Sequence, residues 1–147
     1  LGGMYSWQLA PALWELMERC QRPAIVVIHL GENDLDLLMG LELNKLMKND
    51  MELLLSKWGG TLYWTQLLPR RVWRGARKPA AINRARKEVN REMGGFCREK
   101  VVRVIGHKEI VYKSPSLFRH VGVHLSTLGN KLCLDTLTET LSVGHGQ

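Results

Sequence analysis

Long apolar runs, paired cysteines, a basic leader and glycine-rich phosphate loops are all missing from this 147-residue chain. No stretch reaches the about 18 apolar residues of a membrane-spanning helix, and the longest apolar run, residues 24–30, has the length of a strand. The opening residues carry neither a positively charged region nor an apolar core, so no secretory signal is expected. They also lack an initiator Met, and Leu1-Gly2-Gly3 reads as the middle of a motif, which makes a fragment of a longer protein the expectation. The three cysteines, Cys20, Cys97 and Cys133, are odd in number and far apart, which fits neither a disulfide framework nor a zinc ribbon. Buried free thiols in a reducing, intracellular setting are expected instead. Neither a Walker loop nor a Gly-x-Gly-x-x-Gly occurs, and no cofactor is expected.

What the chain does have is positive charge, unevenly spread. Its formal net charge is +7. Residues 70–103 hold twelve Lys/Arg against Glu88, Glu92 and Glu99, a local +9, and the remaining 9 basic and 11 acidic residues net −2. Such a segment is either the solvated face of a helix with a basic loop, or a surface for nucleic acid or another anionic partner. Trp64 and Trp73 lie beside Arg70, Arg71 and Arg74. Two readings stand for these tryptophans: packing beneath a sheet, the commoner fate, or stacking on bases.

Apolar residues at spacings of three and four (Leu9, Leu13, Leu16, Met17, Cys20) predict a helix over residues 6–22, stopped by Pro23. The β-branched run at 24–30 predicts a strand buried on both faces. A second helix is expected over 41–58, a strand over 61–68, and a basic loop over 69–78. A third helix should run from Pro79 to about Cys97, its last turn made doubtful by Gly94-Gly95. A short strand over 101–105, a loop over 106–119 and a last helix over 128–141, capped by Ser126 or Thr127, complete the pattern. Alternation of this kind predicts right-handed crossovers and an α/β fold, a parallel sheet with helices on both faces. One domain over residues 1–142 and a flexible tail over 143–147 are expected.

In an open parallel sheet, sites form beyond the carboxyl ends of the strands. Two segments fall there: residues 31–34, straight after the first strand, and residues 122–126, before the last helix. Alone, Asn33-Asp34 is an ordinary turn and His124 an ordinary loop histidine. Together they offer an amide that can donate to an oxyanion and an imidazole that can take a proton from a hydroxyl. His120 and His124 lie four apart, but Gly122 intervenes and no acid or cysteine is near, so no metal is expected.

His29-Leu-Gly-Glu-Asn-Asp-Leu35 resembles the G-x-N-D block of SGNH (GDSL-type) hydrolases, and residues 119–130 resemble their C-terminal D-G-x-H-L block. Gly2-Gly3 resembles the glycine block that precedes a family helix. Residues 64–76 and 81–90 resemble a subgroup found in vertebrate transposable-element-derived proteins. The resemblance covers nearly the whole chain. It implies a three-layer α/β/α, flavodoxin-like fold lacking the N-terminal strand, and a serine esterase acting on small esters. His124 would be the general base, and Asn33 (side chain) and Gly3 (backbone N–H) the oxyanion donors.

Two departures count against activity. The family nucleophile sits in a G-D-S block ahead of the glycine block, and no serine here has such a context. The family Asp, three residues before the base, is Val121. A degenerate, inactive hydrolase-like domain is therefore expected. The alternative is a nucleic-acid or anionic-surface module using residues 70–103.

Overall fold

The computed structural model describes residues 11–12, 15, 25–29, 31–32, 34–36, 40–57, 60–73, 78–111, 113–119 and 125–145. The expected site residues Gly3, Asn33 and His124, the substituted position Val121, and most of the helix expected over 6–22 lie outside them.

Three strands form one parallel sheet in the order β1 (Ile25–Ile28), β2 (Thr61–Thr65), β3 (Arg103–Ile105). Ile28 pairs with Trp64, and Thr65 with Ile105. The crossovers are α1 (Gly40–Lys57) and α2 (Pro79–Glu99), and α3 (Thr127–His145) follows β3. Sequential strand order with two crossovers of the same hand brings α1 and α2 to one face of the sheet. One core results: Leu43, Met47, Met51 and Leu54 of α1 and Ile82, Val89, Met93 and Cys97 of α2 bury around Trp64, which has no exposed surface. A second apolar cluster of Ile110, Leu117 and Phe118, joined by Leu68, Leu125 and Leu132, seats α3. The α/β fold with a parallel sheet is thus as the sequence pattern predicts.

Boundaries differ where local rules compete with tertiary bonds. α2 runs through Gly94-Gly95 to Glu99. It stops where Val101 takes the left-handed conformation (φ 60°) and Val102 N–H reaches back to Cys97 O at 2.9 Å. Glycine usually occupies that position, so the sequence carried no stop signal there. α3 continues to His145, so the tail expected from residue 143 is helical to that point.

β2 ends at Thr65, not at Leu68. Beyond it, side chains take over the role of a neighbouring strand. Asn90 Oδ1 accepts from Leu67 N–H (2.8 Å), and Asn90 Nδ2 donates to Leu67 O (3.2 Å). Asn83 treats Arg70 the same way, at 3.4 and 2.9 Å. Leu68 N–H donates to Glu32 Oε1 (2.8 Å), and Pro69 has no N–H to satisfy. Every backbone donor from 67 to 70 is accounted for without another strand.

Cys97 is buried and free, and burial pushes its thiol up to about 11. Among the described residues no helix is long and apolar enough to cross a membrane.

Candidate functional site

The carboxyl ends of β1, β2 and β3 open onto one rim, where His29, Gln66 and Gly106 begin the exit segments. Gly31 turns the chain after β1 at φ +125°, a conformation side chains rarely adopt, and a Cβ there would lie 2.6 Å from Leu67 Cδ2. Its carbonyl accepts from Asp34 and Leu35 N–H, starting a 3-10 turn over Asp34–Asp36. Asp34 is fully buried.

Four side chains from three exit segments meet at this rim. Thr65 Oγ1 lies 2.5 Å from His29 Nδ1 and 3.4 Å from His107 Nε2. His29 Nε2 is 3.4 Å from Glu32 Oε1. One arrangement of protons fits these distances. A carboxylate only accepts, so His29 carries its proton on Nε2. A ring protonated on Nε2 alone accepts at Nδ1 from the Thr65 hydroxyl, which also lies 3.3 Å from Gln66 O. His107 Nε2–H in turn donates to Thr65, leaving His107 Nδ1 an acceptor, and this is the atom that has no partner. A directed chain runs from buried His107, through Thr65 and His29, to Glu32.

The order hydroxyl, imidazole, carboxylate is that of a hydrolytic triad. Thr65, however, is 0% exposed, so its oxygen cannot meet a substrate. Within the chain, only His29 reaches solvent appreciably, its side chain 39% exposed against 11% for Glu32.

Burial lowers the pKa of His107, and the nearby His29 ring lowers it further, while Glu32 opposes both. Below the ordinary histidine range the unfolded chain takes up a proton that folded His107 refuses. Stability is therefore present above that range and is lost as pH falls through it. The urea midpoint should drop between about pH 7.5 and about pH 5.5, and His107→Gln should flatten the drop. An unchanged slope in that variant assigns the effect elsewhere.

The segment before α3 is fixed from both sides. Ser126 Oγ accepts from Gly129 N–H (3.2 Å) and donates to Ser116 O (2.5 Å), which makes it the helix cap. Ser56 and Ser142 hydroxyls also bond to local carbonyls, of Leu53 and Thr138. None of these three serines sits on the rim as a free nucleophile. Leu125 bridges Phe118 and joins the apolar cluster that includes Leu68. Leu68 is linked to a neighbour of each expected site residue. Its N–H holds Glu32, the residue before Asn33, and its side chain shares a cluster with Leu125, the residue after His124. Among the described residues no group of three or more His, Cys, Asp or Glu is placed to hold a metal ion.

The tryptophans pack rather than stack on bases. Trp64 and Trp73 are 0% and 4% exposed, and the Arg70 guanidinium, itself buried, lies 5.2 Å over the Trp73 ring. Sequence reasoning gave no role to Thr65 or His107, and quoted His29 and Glu32 only as flanks of Asn33. The contacts that bring Thr65 to His29 and His107 span 36 and 42 residues, so no local spacing marks them. The only signal was position, each lying at or just past the end of a strand pattern.

No protein-family model matches the chain, and no curated protein matches it. Solved structures do. A protein of Bacteroides fragilis assigned as an acylhydrolase aligns over 97% of this chain and 72% of its own, with TM-score 0.80 and 16% identity. A GDSL-like lipase of Bacteroides thetaiotaomicron aligns over 97% and 73%, with TM-score 0.80 and 15% identity. TesA aligns over 95% and 73%, with TM-score 0.71 and 21% identity. At such identities the likeness is one of fold: the chain has the fold of GDSL-like, SGNH-type hydrolases.

Proposed function

We propose that residues 1–142 form a single SGNH-hydrolase-like domain whose ancestral chemistry is the hydrolysis of small esters, and that this chain is a degenerate member of that class. His124 is the general base. The Asn33 amide and the Gly3 N–H donate to the oxyanion. What supports the reading is the SGNH-type fold together with Leu68, whose N–H donates to Glu32, the residue before Asn33, and whose side chain packs against the same cluster as Leu125, the residue after His124. The transposable-element subgroup rests on residues 64–76 and 81–90 alone.

Degeneracy rests on one side chain: Val121 cannot orient or charge-stabilise an imidazole. Within the 147 residues no serine has the context of a nucleophile. A base and two oxyanion donors can still assist attack by water. Residual hydrolysis of 4-nitrophenyl butyrate by the 147-residue chain should exceed the buffer rate by no more than about 10²-fold. It should show no burst of nitrophenol, because no acyl-enzyme forms. His124→Ala and Asn33→Ala should each return it to the buffer rate. Residual turnover that survives both substitutions unchanged removes the assignment. A stoichiometric burst instead makes the chain a working serine esterase.

A further inference from the structure

Between α2 and the segment that follows β3 lies a groove of about 460 Å³. We propose that it binds a small ligand carrying two or more linked phosphate-type oxyanions, a reading that does not depend on the hydrolase assignment.

The groove is lined by Arg86, Lys87, Arg91 and Lys108, with Gln66 and His107 among the remaining residues; among the described residues no carboxylate lines it, and Glu32 acts on Arg86 and His107 from nearby. Its volume lies in the range of about 300–1,000 Å³ usual for small-molecule sites. Lys87 and Arg91 stand one turn apart on α2, a like-charge spacing that weakens a helix unless something compensates. Neither they nor Lys108 form an ion pair among the described residues. On the same helix Glu92 pairs with Lys48 of α1 at 3.4 Å. The four cations line a concave surface.

Arg86 is held in place beside it. Its Nη1 donates to Leu67 O (3.0 Å) and its Nε to Asn83 Oδ1 (3.3 Å), which fixes the guanidinium and leaves other N–H groups for an anion. Cations stand on two walls, α2 and the segment after β3, which suits linked anionic groups better than one. Among the described residues the lining has no Trp, Tyr or Phe on which a base could stack. Recognition through charge, without base stacking, favours a small polyvalent oxyanion over single-stranded nucleic acid.

Calorimetric titration of the 147-residue chain with inorganic pyrophosphate at low ionic strength tests this. One site is expected, weakening as salt rises. Lys87→Ala, Arg91→Ala and Lys108→Ala should each weaken it about fivefold or more. All three positions are exposed, so the fold tolerates the changes. Lys45→Ala, an exposed lysine on α1, should leave the affinity unchanged. No binding of pyrophosphate overturns the proposal, as does equal weakening by Lys45→Ala. Binding of a ten-nucleotide single strand that pyrophosphate cannot compete away also overturns it, and makes the basic face a nucleic-acid surface.

Discussion

Alanine at position 129 is expected to destabilise the chain by about 3 kcal/mol or more, although glycine-to-alanine changes within helices usually stabilise. A Cβ on Gly129 would lie 2.2 Å from the Leu117 carbonyl oxygen and 3.1 Å from its carbon. Both are backbone atoms, so no rotamer change relieves the clash. The Leu117 carbonyl also accepts Ser126 N–H at 2.8 Å, and the Phe118–Leu125 bridge lies alongside. Moving the first turn of α3 away therefore breaks the contacts that hold Leu125, next to His124. Gly95→Ala is the matched control. Its Cβ would meet nothing nearer than the far end of Arg98, at 3.8 Å. That change should raise stability by up to about 1 kcal/mol. Urea unfolding followed by circular dichroism reads both signs, and equal effects at the two positions would falsify the packing assigned to Gly129.

The second large effect is expected at Asn90. Leucine there keeps nearly the same shape and removes both amide bonds to Leu67. The buried Leu67 N–H then has no partner, while Leu67 O keeps Arg86 Nη1 at 3.0 Å. One orphaned buried donor and one weakened acceptor together cost about 2–4 kcal/mol. Asn90→Asp should fall between wild type and leucine, because a carboxylate still accepts from the N–H but faces the carbonyl with no proton to give. Amide hydrogen exchange at Leu67 separates this explanation from general loosening. Protection should collapse at Leu67 first in the leucine variant, ahead of the α1 core amides, and simultaneous loss across the chain would point to global destabilisation instead.

The order of elements was readable in the sequence because it rests on periodicity. The β-branched run around Ile25–Ile28 and the apolar faces of α1 and α2 appear within a few residues of their expected ends. Strand length was less readable. The pattern at residues 61–68 reads as one strand, yet only five residues pair, because β3 is three residues long and asparagine amides replace it beyond Ile105. Asn83 and Asn90, seven apart on the apolar side of α2, were the visible signal for that replacement. The candidate base and oxyanion donors were legible only through family-like blocks, which concern sequence neighbours. The His107–Thr65–His29–Glu32 chain was not legible, since it depends on which strand ends are adjacent in space.

The amide contacts from α2 also bear on how the molecule behaves in a crowded solution. An extended segment with free N–H and C=O groups invites strand addition from another chain, a route to aggregation. At residues 67–70 that invitation is withdrawn. Asn90 and Asn83 fill the positions where an incoming strand would bond, Glu32 holds Leu68, and Pro69 offers nothing. Helix-borne amides thus seal a sheet margin that β3 is too short to cover.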